Sequence, residues 1–229
     1  MHCHDVQTFP LLNLTGEKMN LSPSLICADS GHFAEEIANL EAAGADSFHI
    51  DIMDGEFVNN FALSWSEVRQ FRQLTDLPFE AHLMVRNLEV HIPFAQASGV
   101  KLVYIHVEHS NVAKGLELIA NFGMQAGLAI NPDTPLERIE LFAKQIDSIL
   151  MMRVRPGFAG QKALSEYDSR LDDILKKYPH KEITIDGAVT PDVISSMSRK
   201  GATGFVLGTS SLFGKKEPYR KILQQLHSL

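Results

Sequence analysis

Short apolar segments alternate with amphipathic segments along most of the chain. Residues 47–52 alternate in character and contain β-branched side chains, which predicts a short buried strand, and comparable segments recur about every 25 residues. Between them apolar residues recur at helical spacing, as Phe33, Ile37 and Leu40 do before Gly44, which is expected to end the helix. The predicted strands cover residues 21–26, 47–52, 79–85, 102–106, 126–130, 149–154, 182–186 and 204–208.

These strand–helix alternations determine the expected fold class. A single helix between successive strands makes each pair a parallel βαβ unit. Eight such units predict an α/β protein with a single-domain (β/α)8 TIM barrel over residues 19–229, preceded by a poorly ordered or peripheral N-terminal extension over residues 1–18. A doubly wound open sheet is the alternative, but the glycine-rich turn typical of dinucleotide binding is missing after the first strand.

Two of the connections carry their own helix signals. Thr134 followed by Pro135 has the pattern of an N-cap with proline in the first turn, so a helix is expected to begin there. The small residues Gly208, Thr209 and Ser210 follow the last predicted strand and are expected to open the final helix.

The charge balance narrows the kinds of partner. The net charge is −7 with a pI of about 5.8, and no block of like charges stands out, which argues against nucleic acid or an anionic membrane surface as the main partner. A small anionic substrate stays compatible, because a local pocket can be positive on an acidic protein.

Cysteine usage and hydropathy favour a cytoplasmic protein without a membrane span. The two cysteines, Cys3 and Cys27, are too few for a disulfide framework, and no apolar run approaches the roughly 20 residues that cross a bilayer. No signal-peptide pattern is evident at the start of the chain. The cluster His2-Cys3-His4-Asp5 contains metal-ligand types, but at a chain start a frayed extension is favoured.

Ionisable side chains stand at the C-terminal ends of several predicted strands, which face one shared space in a barrel. His49 and Asp51 point to the same side of the second strand, and taken alone this pair favours a buried histidine bonded to a neighbouring aspartate. His82 and Asp186 stand at the same depth on two other strands, where a core would carry Val, Ile or Leu. We therefore predict one divalent metal ion held by His49, Asp51, His82 and Asp186, with Zn, Fe, Mn or Co comparably suited. For His106, on the fourth strand, a core or supporting role is favoured.

Small residues follow the last three strands. They let backbone N–H groups approach an anion, and in barrels the loops after strands seven and eight recurrently bind phosphate. Ordinary turn chemistry explains any one of these loops, whereas three in succession favour a phosphate site. The predicted phosphate-binding residues are Gly157, Ala159, Gly160, Gly187, Ala188, Gly208, Thr209 and Ser210.

Several motifs together resemble the ribulose-phosphate 3-epimerase family over about residues 20–215. They fall in order on the predicted strands. They are Ser22-Pro-Ser-Leu25, His49-Ile-Asp-Ile-Met-Asp-Gly55, His82-Leu-Met-Val85, His106 with Glu108, Gly127-Leu to Asn131-Pro, Pro156-Gly-Phe-Ala-Gly-Gln161, Ile185-Asp-Gly187 and Gly208-Thr-Ser210.

The resemblance implies a metal-dependent isomerase that acts on a ketose phosphate in carbohydrate metabolism, of the pentose phosphate pathway type. By motif match, Asp51 and Asp186 would be its acid and base as well as metal ligands with His49 and His82. Substrate contacts would come from Ser24, His82, Met53, Met84 and Met152, although core packing explains the methionines equally well. Dimers or hexamers are common in this family, so a homo-oligomer is expected. Ribulose 5-phosphate is ranked first as the substrate.

This chain departs from the family pattern at several positions around the expected mouth. The departures are Glu56, Asn59, Arg86, Arg153, Arg155 and Ala188. Arginine recognises anions in a bidentate manner, so Arg153 and Arg155 are possible specificity residues, although ion pairs with surface carboxylates are the plainer explanation for Arg153 and Arg86.

Three alternatives to a ribulose 5-phosphate epimerase are considered, and two of them are disfavoured. The Gly-Phe-Ala-Gly-Gln and Gly-Thr-Ser motifs also resemble the allulose 6-phosphate 3-epimerase branch. A phosphate-binding decarboxylase is disfavoured, because Met53 rather than lysine stands between Asp51 and Asp54. A non-catalytic phosphosugar sensor is disfavoured by the retained carboxylates and histidines.

Overall fold

The computed structural model describes residues 19–229, and within them eight parallel strands form one sheet that is nearly closed into a barrel. The order around the sheet is β1-β8-β7-β6-β5-β4-β3-β2. An isolated parallel bridge between Ser24 and His49 joins the two ends of that order. The strands are β1 Asn20–Pro23, β2 Phe48–Met53, β3 Phe79–Met84, β4 Val100–His106, β5 Gln125–Ile130, β6 Ser148–Met152, β7 Glu182–Asp186 and β8 Gly204–Leu207.

A helix follows each strand within the described residues, and the (β/α)8 prediction is confirmed. The helices are α1 Phe33–Ala43, α2 Trp65–Phe71, α3 Leu88–Ala97, α4 Val112–Asn121, α5 Glu137–Glu140, α6 Arg170–Lys177, α7 Pro191–Ser198 and α8 Tyr219–His227. Local sequence explains several boundaries. Gly44 ends α1 in the left-handed conformation, and Ser64 forms a capping box with Glu67 at the start of α2.

Three predicted elements differ from the structure. The first strand stops at Pro23, where the missing N–H limits pairing, and a 3₁₀ turn over Leu25–Cys27 replaces its second half. The helix expected at Thr134-Pro135 is only the four-residue α5 with Leu136 as its N-cap. The prediction that residues 208–210 open the last helix is wrong, because a turn over 209–214 ends at the left-handed Gly214 and α8 begins only at Tyr219.

Part of the barrel interior is filled by a cluster of buried apolar side chains. Leu102, Tyr104, Leu150 and Val206 belong to the interior apolar cluster, while the larger core lies between the sheet and the helices. At one level the Tyr104 hydroxyl lies 2.9 Å from Ser148 Oγ. These side chains fill the middle of the barrel, so its interior is open at the C-terminal ends of the strands.

No helix among residues 19–229 is long and apolar enough to cross a membrane. The expected extension over residues 1–18 and the cluster 2–5 lie outside the described residues.

Candidate active site

Four ionisable side chains from three strands meet at the C-terminal end of the barrel. They are His49 and Asp51 on β2, His82 on β3 and Asp186 at the end of β7. One ligand atom from each lies within 4.8 Å of the others. Asp51 Oδ1 is 3.5 Å from His49 Nε2 and 3.3 Å from His82 Nδ1, and His82 Nδ1 is 3.7 Å from Asp186 Oδ2. The barrel therefore brings together the four predicted metal ligands.

The geometry of this cluster fits a divalent cation. A tetrahedral shell with bonds of about 2.1 Å separates its donor atoms by roughly 3.4 Å, which is close to the three distances above. Both ring nitrogens of His49 and Nδ1 of His82 are buried without a hydrogen-bond partner among the described residues. Buried polar atoms are normally paired, so these nitrogens indicate a site that can hold a metal ion.

The two carboxylates have opposite protonation tendencies. Burial opposes ionisation of Asp51, but the neighbouring imidazoles of His49 and His82 outweigh it and hold the pKa of Asp51 well below its usual range. Burial raises the pKa of Asp186 to about 6, with the negative charge of Asp51 adding to the shift and His49 opposing it. The site therefore contains one strongly acidic and one weakly acidic carboxyl group.

The two imidazoles also differ. Burial disfavours the charged form of His49, yet Asp51 and the more distant carboxylates outweigh burial and raise its pKa to about 9. Burial dominates at His82 and lowers its pKa to about 4, although Asp51 opposes that shift. The cluster thus attracts one positive charge, and binding of a cation would displace that proton.

Side chains from β2, β3 and β6, together with Ser24 directly after β1, surround the carboxylates. Ser24 Oγ donates a 2.6 Å hydrogen bond to Asp51 Oδ2. The cavity above the cluster is lined by Met53, Met84 and Met152 as well as by Asp51 and Asp186. Its wall beside the carboxylates is accordingly apolar and polarisable.

The other end of the same cavity is built from loop backbone. The predicted phosphate-binding residues after β6, β7 and β8 all line it, namely Gly157, Ala159, Gly160, Gly187, Ala188, Gly208, Thr209 and Ser210. Gly187 has a φ of 101°, and a Cβ there would lie 2.9 Å from the backbone nitrogen of Val154. This turn after β7 therefore needs glycine.

The two candidate specificity arginines occupy different environments. Arg153 is 4% exposed, forms a bidentate pair with Asp168, and also donates to the carbonyl oxygens of Gly187 and Ala188. Its guanidinium thus supports the turn after β7 from outside the cavity. Arg155 lines the cavity, and its exposed side chain donates a 2.7 Å hydrogen bond to Asp133.

Two loops meet over the cavity. Asn60, in the loop after β2, donates a 2.6 Å hydrogen bond from its side chain to the carbonyl oxygen of Gly157 in the loop after β6. Gln161 donates from its amide to the carbonyls of Arg155 and Phe158, which closes the second loop on itself. The Phe158 side chain lines the cavity and is 56% exposed.

Sequence reasoning missed some lining residues. Cys27 and Val206 line the cavity without having been singled out. Strand alternation could have identified Val206, which points inward like Gly204, whereas Cys27 lies on the 3₁₀ turn that the strand prediction had not anticipated. Conversely, His49 is fully buried and lies outside the cavity lining, as does Arg153.

Comparisons with known proteins agree with this geometry. The model of the Ribulose-phosphate 3 epimerase family matches residues 20–213. The chain is 36% identical over 203 residues to the ribulose-phosphate 3-epimerase of Aquifex aeolicus, covering 86% of this chain and 90% of that protein. It is 33% identical over 204 residues to the chloroplastic ribulose-5-phosphate-3-epimerase of Arabidopsis thaliana, covering 86% and 72% of the two chains.

A solved structure supports the fold. A mutant tryptophan synthase alpha-subunit from Pyrococcus furiosus superposes with a TM-score of 0.69 at 16% identity, covering 92% of this chain and 98% of that chain. At that identity the similarity shows a common barrel architecture and carries no information on the reaction.

Proposed function

The chain belongs to the ribulose-phosphate 3-epimerase family, and from that premise we propose that it is a metal-dependent epimerase that interconverts D-ribulose 5-phosphate and D-xylulose 5-phosphate. The observation that carries the proposal is the position of Asp51 and Asp186. They come from β2 and β7, line one cavity, and both lie at the cluster of unpartnered imidazole nitrogens. The same cavity ends in loops whose backbone suits a phosphate group.

The residue types fit inversion at C3 of a ketose. One carboxylate takes the C3 proton on one face of the sugar, and the electron pair moves towards the C2 carbonyl to give an enediolate. The other carboxyl group delivers a proton to the opposite face of C3. In the reverse direction Asp51 and Asp186 exchange roles. Well-placed acid and base groups of this kind contribute typically ~10²–10⁴-fold to the rate.

His49, Asp51, His82 and Asp186 would hold the metal ion. When bound, the ion supplies Lewis-acid stabilisation of the negative charge that develops on the sugar oxygens, worth several kcal/mol. Two imidazoles and two carboxylates accept Zn, Fe, Mn or Co, and we propose one of these as the native cofactor.

The remaining cavity residues orient the sugar and exclude water. The loops after β6, β7 and β8 would bind the phosphate and so use its binding energy to place C3 between the carboxylates. Ser24 holds Asp51 through its 2.6 Å hydrogen bond. Met53, Met84 and Met152 supply an apolar wall that would shield the enediolate.

A D-allulose 6-phosphate/D-fructose 6-phosphate 3-epimerase is the second candidate, and Arg155 favours it. This residue lines the cavity with an exposed guanidinium. A sugar phosphate one carbon longer would extend its phosphate towards the mouth, where such a cation can bind it bidentately.

A coupled assay separates these candidates from a non-catalytic sensor. Metal-free protein would be loaded in turn with Zn, Fe, Mn or Co and given each sugar phosphate. We expect turnover of ribulose 5-phosphate with the higher kcat/KM. Higher kcat/KM for allulose 6-phosphate would establish the second candidate, and tight metal binding with no turnover of either sugar would contradict an epimerase.

Two further properties belong to the proposal. We propose that the protein acts in the cytoplasm and forms a homo-oligomer, either a dimer or a hexamer. Exposed apolar side chains such as Phe61 and Leu141, each 75% exposed, are compatible with contacts between copies. Light scattering on the purified protein would measure the mass of the assembly.

A further inference from the structure

On the side away from the carboxylates, His82 contacts His106 at the end of β4, and His106 in turn contacts Glu108 just after that strand. Nδ1 of His82 faces Asp51 and Asp186, while its Nε2 lies 2.8 Å from Nε2 of His106. On the other side of that ring, Nδ1 of His106 lies 3.0 Å from Oε2 of Glu108. His82 and His106 are 0% and 1% exposed, so water does not compete for these bonds.

The last member of this chain favours one direction for the two hydrogen bonds. A carboxylate can only accept, so Nδ1 of His106 must carry the proton that it shares with Glu108. In the His106 tautomer with its single proton on Nδ1, Nε2 holds the lone pair and accepts from His82. In that arrangement His82 carries its proton on Nε2, which leaves the lone pair of Nδ1 directed at the cluster of carboxylates.

Glu108 is itself fixed as an acceptor. Its Oε1 accepts a 3.0 Å hydrogen bond from the backbone N–H of Asn131. Burial opposes ionisation, but hydrogen bonds from His106, Thr134 and the Asn131 N–H lower the pKa of Glu108. The ring of Phe57 packs against His106 with centroids 5.1 Å apart, which restricts rotation of that imidazole.

We propose that His106 and Glu108 are positioning residues that fix the tautomer and orientation of His82 so that its Nδ1 is permanently available to the metal ion. The proposal rests on the metal site of the proposed function. Partners of this kind behind a ligating histidine typically change metal affinity 10–100-fold. His49 has no equivalent support, because both of its ring nitrogens lack partners among the described residues.

Glu108→Gln is the sharpest test, because it can reverse the direction of the hydrogen bonds that join residue 108, His106 and His82. If the glutamine oxygen keeps the Asn131 N–H, its NH₂ group faces Nδ1 of His106 and turns that atom into an acceptor. His106 then donates from Nε2 to His82, which must move its proton to Nδ1, where it blocks the metal. We expect the dissociation constant for Zn²⁺, measured by competition with a chelator, to rise 10–100-fold.

Asp147→Asn provides the matched control. Asp147 also accepts a backbone N–H, that of Ala126 at 3.0 Å, but it lies at the opposite end of the barrel and contacts neither imidazole. The affinity of the Asp147→Asn variant for Zn²⁺ should stay within about twofold of that of the unmodified protein. Thermal unfolding of each variant without metal would show that both are folded.

A second measurement reports the tautomer directly. Nitrogen-15 NMR of histidine-labelled, metal-free protein should show His82 protonated at Nε2, and in Glu108→Gln the proton should move to Nδ1. Unchanged Zn²⁺ affinity and an unchanged tautomer in Glu108→Gln would overturn the proposal, as would absence of Zn²⁺ binding by the unmodified protein. Binding does not require turnover, so inactivity towards both sugars would count against the epimerase alone.

Discussion

The two ends of the active-site cavity are built on different principles. At the carboxylate end, side chains on strands meet in a buried cluster, with His49 and His82 both 0% exposed. At the anion end, where we propose that the phosphate binds, the lining comes from the loops after β6, β7 and β8, and Phe158 there is 56% exposed. We therefore expect function to depend on side-chain identity at the carboxylate end and on backbone conformation at the anion end.

The difference predicts different consequences of mutation. Substitution at the carboxylate end should reduce kcat, because those groups act on the reacting atoms. Substitution at the anion end should mainly raise KM or change stability, because those groups orient the substrate through the shape of the chain.

The largest effect is expected for Asp186→Asn, which removes one of the two acid–base groups and leaves the side-chain volume unchanged. We expect kcat to fall ~10²–10⁴-fold, with circular dichroism and thermal unfolding showing a retained fold. A rate near that of the unmodified protein would remove Asp186 from the proton transfer.

Gly187→Ala tests whether the backbone conformation of the turn after β7 contributes to phosphate binding. The new Cβ would lie 2.7 Å from Cγ2 of Val154 at a φ of 101°, so the turn must shift. We expect KM to rise several-fold and the free energy of unfolding to fall by about 1–3 kcal/mol. Gly123→Ala is the control, because its φ is also positive at 69° but no atom lies within 4 Å of the new Cβ. Equal KM values in the two variants would contradict an anion-binding turn.

Arg155→Ser should change substrate preference more than stability. Arg155 lies at the mouth, and its exposed pair with Asp133 contributes at most about 1 kcal/mol to folding. We expect the ratio of kcat/KM for ribulose 5-phosphate and allulose 6-phosphate to change several-fold. Asp133→Asn breaks the same pair while keeping the arginine, so an identical shift in both variants, or none in either, would argue against a direct contact with substrate.

The smallest effect is expected for Ala188→Gly. Ala188 has a φ of 47° and is the only non-glycine residue with positive φ among residues 19–229. Glycine relieves this left-handed strain at some entropic cost, so the free energy of unfolding should rise by about 0.5 kcal/mol. In Ala159→Gly, where no such strain exists, denaturant titration should show a loss of stability instead.

Much of the barrel end with the four proposed metal ligands could be predicted from sequence, because strand periodicity and residue type are local properties. His49, Asp51, His82 and Asp186 stand at strand ends that the alternation of apolar segments had already located, and parallel strands bring such ends together. The error after β8 has an equally local cause. Gly208 to Ser210 suit a helix start, but Gly214 and Pro218 delay α8 until Tyr219.

The sequence by itself determined the fold class, the order of the strands and the identities of the groups that meet at the mouth. The tertiary structure alone decided what those groups contact. It placed Arg153 against Asp168 and the carbonyls after β7, and it connected His82 to Glu108 through His106. The physical reason is that periodicity specifies which face a side chain occupies, whereas hydrogen-bond partners depend on the register and packing of segments far apart in the chain.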